Sequence, residues 1–195
     1  MEENIKNNIY EAALKLFSKQ GFDGTSIRQI ADEASTTIPM IYYYYKSKEG
    51  LFESVINEGV QKIKNAIVIS DDNELYIEKL RKAIYRFLSF CRENRELTAL
   101  LLGTWFGPST IDVHIPSVVQ VYVDLMEAFK NILDKGIAQG QFREHNTHEL
   151  SQNILGMLTN YLARMFIGNE EIDPVHSTEN VMDVLKYGIL KKGER

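Results

Sequence analysis

Four consecutive tyrosines, Tyr42–Tyr45, are the densest cluster of reactive-looking side chains in the chain. Aromatic faces can stack on the bases of single-stranded nucleic acid. On a helix, however, four successive side chains point four ways, so these make no single platform. A second candidate is the pair His145 and His148, flanked by Glu144 and Glu149. Metal ligation would need a further ligand pair, and none is evident. The intervening Asn146-Thr147 reads instead as a solvated loop and helix cap. His114 and His176 lie near prolines and read as loop residues. The one cysteine, Cys91, falls on an apolar helical face, which suits a small buried residue better than a redox sensor. The sequence has no nucleophile elbow, no glycine-rich phosphate loop and no spaced metal-ligand set. An enzyme, a metal site and a bound cofactor are therefore not expected.

The elements that would position such residues are helical. Only four prolines, at 39, 108, 116 and 174, interrupt the 195 residues, which leaves room for long helices. Apolar side chains at Ile5, Ile9, Ala12, Ala13, Leu16 and Phe17 share one helical face, and Gly21 ends that helix. A second helix starts at Thr25-Ser26, with Ser26 and Gln29 spaced as a capping box. After Ser35-Thr36-Thr37, a short third helix begins with Thr37 as cap and Pro39 in its first turn, where proline is harmless. Ser47 caps a fourth helix that reaches about residue 68. Polar Asp71-Asp72-Asn73 marks a break. Five more helices follow, at about 74–94, 97–106, 117–139, 148–167 and 175–191. The fold class is all-α, and no segment reads as a strand.

Bulk composition narrows the partners. No apolar run approaches the 18 or more residues of a membrane span. The acidic start Met1-Glu2-Glu3-Asn4 lacks the features of a secretory signal, and a single cysteine permits no internal disulfide. A cytoplasmic location is expected. The net charge is −5, and residues 1–50 hold six Lys and Arg against seven Asp and Glu. Overall charge thus speaks against nucleic acid, and a few well-placed cations would have to answer it.

Two short helices joined by a tight turn, behind a longer supporting helix, form a helix-turn-helix. The arrangement suits DNA because a helix fits the major groove while its neighbour braces on the backbone. Similar helix pairs occur in proteins that touch no DNA, so geometry alone leaves both readings open. The identities add to it: Ala12-Ala13-x-x-Leu16-Phe17, Gly21-Phe22-x-Gly24-Thr25-Ser26-Ile27, Ile30-Ala31-x-x-Ala34 and Ile41-Tyr42-Tyr43-Tyr44-Tyr45-Lys46-Ser47-Lys48-Glu49-x-Leu51. Over residues 5–56 the chain resembles the N-terminal domain of the TetR family of transcriptional regulators. The remainder matches that family only in length and helical layout.

The resemblance implies roles. Residues 1–50 would be a three-helix DNA-binding domain and 51–195 a helical ligand-binding and dimerisation domain. Thr25, Ser26 and Arg28 would hold phosphates at the start of the second helix. Thr37, Ile38, Met40 and Tyr43 would face base edges, while Tyr42 and Lys48 would touch the backbone. Tyr45 belongs to the core. Two departures fall in the turn, where the family's glycine is Ser35 and its following apolar residue is Thr36. Glycine eases a left-handed backbone, so Ser35 either carries modest strain or shifts the turn slightly.

Aromatic and methionine side chains on several later helices suit an apolar pocket, although each alone reads as ordinary core. The resemblance makes Trp105, Phe106, Tyr122, Met126 and Tyr161 the candidates for lining it. The last two helices, with stripes at Leu150, Ile154, Met157, Leu158, Tyr161 and Met165 and at Val181, Leu185, Gly188 and Ile189, would form a homodimer interface. The expected function is a sequence-specific DNA-binding regulator, a repressor released from a palindromic double-stranded operator by a small hydrophobic or aromatic effector, with no membrane partner. The competing reading is a ligand- or partner-binding helical module without specific DNA recognition.

Overall fold

A computed structural model of the chain describes residues 2–67, 74–106 and 116–187. Among them are nine helices and no strand: α1 (Glu2–Gln20), α2 (Ile27–Glu33), α3 (Ile38–Tyr45), α4 (Lys48–Ile67), α5 (Tyr76–Glu93), α6 (Arg95–Phe106), α7 (Pro116–Ala138), α8 (Thr147–Phe166) and α9 (Pro174–Tyr187). The breaks expected at 71–73 and 107–109 lie outside the described residues, as do Gly188 and Ile189. No described helix is long and apolar enough to cross a membrane. Among the described residues no three His, Cys, Asp or Glu side chains come together as a metal site.

Local signals set the helix starts. Ser26 caps α2 with the reciprocal box to Gln29. The Ser47 hydroxyl accepts the Gly50 amide at 2.9 Å, and Asn146 Oδ1 accepts the Glu149 amide at 3.2 Å. Each bond satisfies an amide that has no acceptor within its own helix.

The helices pack as two compact units, Met1–Lys62 with Asn94–Val121 and Ile63–Glu93 with Tyr122–Arg195. The core of the first is built from Ile9, Ala13, Ile30, Ile41, Leu51, Val55 and Ile56, all fully buried. Phe17 and Phe22 close on Phe52 edge-on, with ring centroids 4.9 and 5.1 Å away. α6 packs on α1 and comes so near α4 that a Cβ on Gly59 would meet Leu97 Cδ1 at 2.3 Å. The expected face of α1 holds at Ile9, Ala12, Ala13 and Phe17, while Ile5 and Leu16 are half-buried and Leu14 turns inward.

In the second unit α5 is strongly amphipathic. It buries Leu80, Ala83, Ile84, Phe87, Leu88 and Cys91 and packs on α8 and α9. The apolar stripe read on α8 divides. Ile154, Leu158 and Met165 are buried, while Leu150, Met157 and Tyr161 stay half-buried. On α9, Val181 and Met182 are buried and Val184 and Tyr187 exposed.

Candidate nucleic-acid interface

The interface grows out of the two turns that flank α3. α2 ends at Ala34, and Ser35 follows with φ 50°. The Ser35 amide donates to the Asp32 carbonyl at 3.2 Å and the Thr36 amide to the Ala31 carbonyl at 2.9 Å. These are the paired bonds of a left-handed helix ending that usually uses glycine. Of the two outcomes expected for Ser35, the left-handed backbone is therefore kept, with a Cβ in place. Thr36 is half-buried. The second turn is also left-handed, at Lys46 with φ 66°, and its Nζ donates back to the Tyr43 carbonyl at 3.1 Å.

Between these turns α3 has a sharp division of faces. Ile41 and Tyr45 point inward, at 0% and 8% exposure. Ile38, Tyr42 and Tyr43 point outward at 39%, 45% and 66%, with Thr37 exposed and Met40 half-buried beside them. Thr37 begins α3 as expected but its side chain makes no capping bond. No charged side chain stands between Thr37 and Tyr45.

The neighbouring cations and hydroxyls divide in the same way. Arg28 and Ser26 are exposed at the start of α2. The Ser26 amide donates to Gln29 Oε1 at 2.7 Å, and Gln29 Nε2 reaches Gln20 Oε1 at 3.4 Å. These bonds tie the start of α2 to the end of α1. Lys48 is half-buried, with Nζ 4.2 Å from the Phe22 ring centroid, a cation–π contact that fixes where its charge sits. Thr25 differs from the rest of its group. It is 1% exposed, and its hydroxyl donates inward to the Gly21 carbonyl at 2.8 Å. Gln29 was expected only as the capping partner of Ser26; its contact with Gln20 was not, because a contact from one helix to the next leaves no periodic mark.

Behind the outward face, the Tyr45 hydroxyl donates to the Lys6 carbonyl at 3.4 Å. Burial, helped by the negative charge of Glu58, pushes its pKa up to about 12. Tyr45 thus stays a neutral core residue.

Of the residues expected to line an effector pocket, Met126 is buried and Tyr122 and Tyr161 are half-buried. The Arg164 guanidinium lies 5.4 Å from the Tyr161 ring centroid. The side chains of Trp105 and Phe106 lie outside the described residues. A cavity of about 970 Å3 in the second unit is lined by other residues, among them Phe142 and Leu150. Phe142 falls in a stretch that reads as a mere break. Its ring covers Gly136, where a Cβ would meet it at 2.2 Å.

Two family models match this chain: "Bacterial regulatory proteins, tetR family" over residues 9–55 and "Tetracyclin repressor-like, C-terminal domain" over residues 73–163. The chain is 31% identical, over 161 residues, to the "Probable HTH-type transcriptional regulator YttP" of Bacillus subtilis, covering 80% of this chain and 74% of that protein. Over 54 residues it is 50% identical to the "HTH-type transcriptional repressor NicS" of Pseudomonas putida, covering 28% of this chain and 26% of that one. The fold is that of the transcriptional regulator FadR from Bacillus subtilis, solved in complex with stearoyl-CoA. The two superpose with a TM-score of 0.77 at 20% identity over 94% of this chain and 99% of that one. With a helix pair whose first member is capped, an outward face on α3 and family matches across both halves of the sequence, the chain belongs to the TetR family of bacterial transcriptional regulators.

Proposed function

We propose that the protein is a homodimeric repressor that holds a palindromic operator through α2 and α3 and is released by a small hydrophobic effector. Residues 1–50 serve as the DNA-reading domain and 51–195 as the effector-binding and dimerisation domain. The observation that carries this reading is the outward face of α3. Ile38, Tyr42 and Tyr43 are large side chains held exposed by a short helix whose other face is fully buried. Exposed aromatics cost solubility, and a surface that keeps three neighbouring apolar groups in water suits a partner surface.

On this assignment Thr37, Ile38, Met40 and Tyr43 meet base edges, and Ile38 and Met40 pack on thymine methyl groups. Ser26, Arg28, Tyr42 and Lys48 hold the backbone. Thr25 takes a structural part, pinning the turn before α2 so that Ser26 and Arg28 face outward.

One short helix reads few base pairs, so a dimer is required. The paired α3 helices of a two-fold dimer would lie about 34 Å apart, one turn of DNA. The exposed apolar side chains Ile167, Val175 and Val184, within and beside α8 and α9, support those helices as the interface. The stearoyl-CoA held by FadR supports an effector with a substantial apolar part. Effector and operator oppose each other, so each weakens the other by the same factor.

The test is a fluorescence-anisotropy titration of the protein against its own upstream region, with excess unrelated DNA present. Specific binding survives the competitor. Tyr43→Ala, at an exposed position, lowers affinity by about tenfold or more while the melting temperature stays unchanged. Equal affinity for operator and competitor, or an unaffected Tyr43→Ala variant, would overturn the assignment.

A further inference from the structure

Side chains that read a base pair by hydrogen bonds do so mostly as forks or ions: Arg or Lys on guanine, Asn or Gln on adenine, Asp or Glu on cytosine. Between Thr37 and Tyr45 the sequence has none of these six residue types. Those nearby are held elsewhere. Lys46 Nζ donates to the Tyr43 carbonyl at 3.1 Å, and Lys48 Nζ lies 4.2 Å from the Phe22 ring centroid. Gln29 is engaged at both ends of its amide, where Oε1 accepts the Ser26 amide at 2.7 Å and Nε2 donates to Gln20 at 3.4 Å. Arg28 stands on α2, the helix of the pair that braces on the backbone.

What the start of α3 presents instead is hydrocarbon. Ile38 and Pro39 are exposed and Met40 is half-buried. Pro39 stands in the first turn of the helix and brings no amide of its own. Thr37 adds a methyl group and a hydroxyl that makes no capping bond, and Tyr43 adds an exposed phenol. The first residues of a recognition helix are the ones that contact base edges. In the major groove the feature that apolar groups meet is the methyl on C5 of thymine. A hydroxyl can donate or accept, so Thr37 and Tyr43 suit the O4 of thymine and the amino group of cytosine equally.

We propose that α3 reads its half-site by the C5-methyl groups of pyrimidines, through Ile38, Pro39 and Met40, and so takes 5-methylcytosine in place of thymine. Pro39 thereby joins the residues that determine specificity. Guanine N7 and O6 go unread, and a site containing cytosine is bound according to whether that cytosine is methylated. The proposal rests on the reading of the protein as a sequence-specific DNA-binding regulator.

Operator duplexes are selected from random sequence by the full chain, and anisotropy titrations then compare single replacements within a half-site. Deoxyuridine in place of thymidine lowers affinity by about fourfold for each methyl that faces α3. Replacing such a T·A pair by C·G lowers affinity by about fourfold or more, and 5-methylcytosine at the same position restores it to within about twofold of thymine. 7-Deazaguanine, which lacks the N7 acceptor, changes affinity by less than about twofold at any guanine of the half-site. Ile38→Ala, at an exposed position, makes thymine and uracil equivalent at one position. Melting curves establish that this variant is folded, and Pro39→Ala, also exposed, takes its place if it is not. Uracil throughout the half-site without loss of affinity, 5-methylcytosine no better than cytosine, or a loss of about tenfold or more on 7-deazaguanine overturns the proposal and leaves the DNA-binding regulator standing. Failure to enrich any sequence from the random pool overturns both.

Discussion

At the scale of single residues, the two turns around α3 hold non-glycine residues in a left-handed conformation, at Ser35 and Lys46. A Cβ in that conformation costs about 1–2 kcal/mol, while glycine concedes roughly 0.5–1 kcal/mol of extra freedom in the unfolded chain. Ser35→Gly should therefore stabilise the protein by about 0.5–1 kcal/mol, read as a rise of about 1–4 °C in Tm. A lower Tm would show that the serine makes up for its strain in some other way. Tyr45 sets a limit at alkaline pH. Its pKa of about 12 in the folded protein lies above the usual value near 10 of an unfolded chain. The neutral phenol is thus favoured by folding, and the stability it contributes is complete below about pH 10 and lost as pH rises through 12. Urea midpoints between pH 9 and 12 should fall by an amount equivalent to as much as 2–3 kcal/mol. Tyr45→Phe, which keeps the buried ring, should flatten that fall. The fate of Thr25 was beyond the sequence, because a hydroxyl at the start of a helix can turn outward to a phosphate or inward to a carbonyl with the same pattern of neighbours.

At the scale of elements, what was legible in the sequence is what depends on near neighbours in the chain. Ser26, Ser47 and Asn146 cap their helices because capping needs a side-chain oxygen within three residues of the amide that it accepts. The 3.6-residue period likewise located Ile9, Ala12, Ala13 and Phe17 on the inward face of α1. Contacts between elements far apart in sequence left no such trace. Nothing in the spacing of α6 says that it packs on α1, or that Leu97 comes to rest over Gly59. The latter contact can be tested directly. Gly59→Val adds bulk where even a methyl would meet Leu97 at 2.3 Å, and overpacking of this kind costs about 1–3 kcal/mol. A shift of the denaturant midpoint toward lower concentration, without change of slope, would register it. The cavity was illegible for the same reason. Its lining comes from four helices and from the connection between α7 and α8, where Phe142 is an apolar residue in a stretch whose glycines and polar neighbours read as a simple break.

At the scale of the whole molecule, charge shapes how the protein meets DNA. The net charge is −5, and the cations near the outward face are few: Arg28, Lys46 and Lys48. Lys46 turns back onto its own helix and Lys48 sits against Phe22. If these three side chains in each half of a dimer neutralise phosphates, log affinity against log salt has a slope of about −5. Specificity then rests largely on fit at the base edges, and raising salt should weaken operator binding less than it weakens binding to unrelated DNA. A slope near −10 would require cations that the outward face does not have.

The first compact unit is written in two separate stretches of the chain, with α1 resting on α6 across some 75 intervening residues. A single crossover between two related genes, placed after residue 50, would carry α1 away from the α6 with which it packs and seat it on a stranger's. Hybrids that exchange DNA-reading heads should therefore inherit a mismatched seam, and those most apt to fold are the ones in which α6 travels with the head. Descent by piecewise exchange is constrained accordingly: the part that reads an operator is not a detachable cassette, because its foundation lies further along the same message.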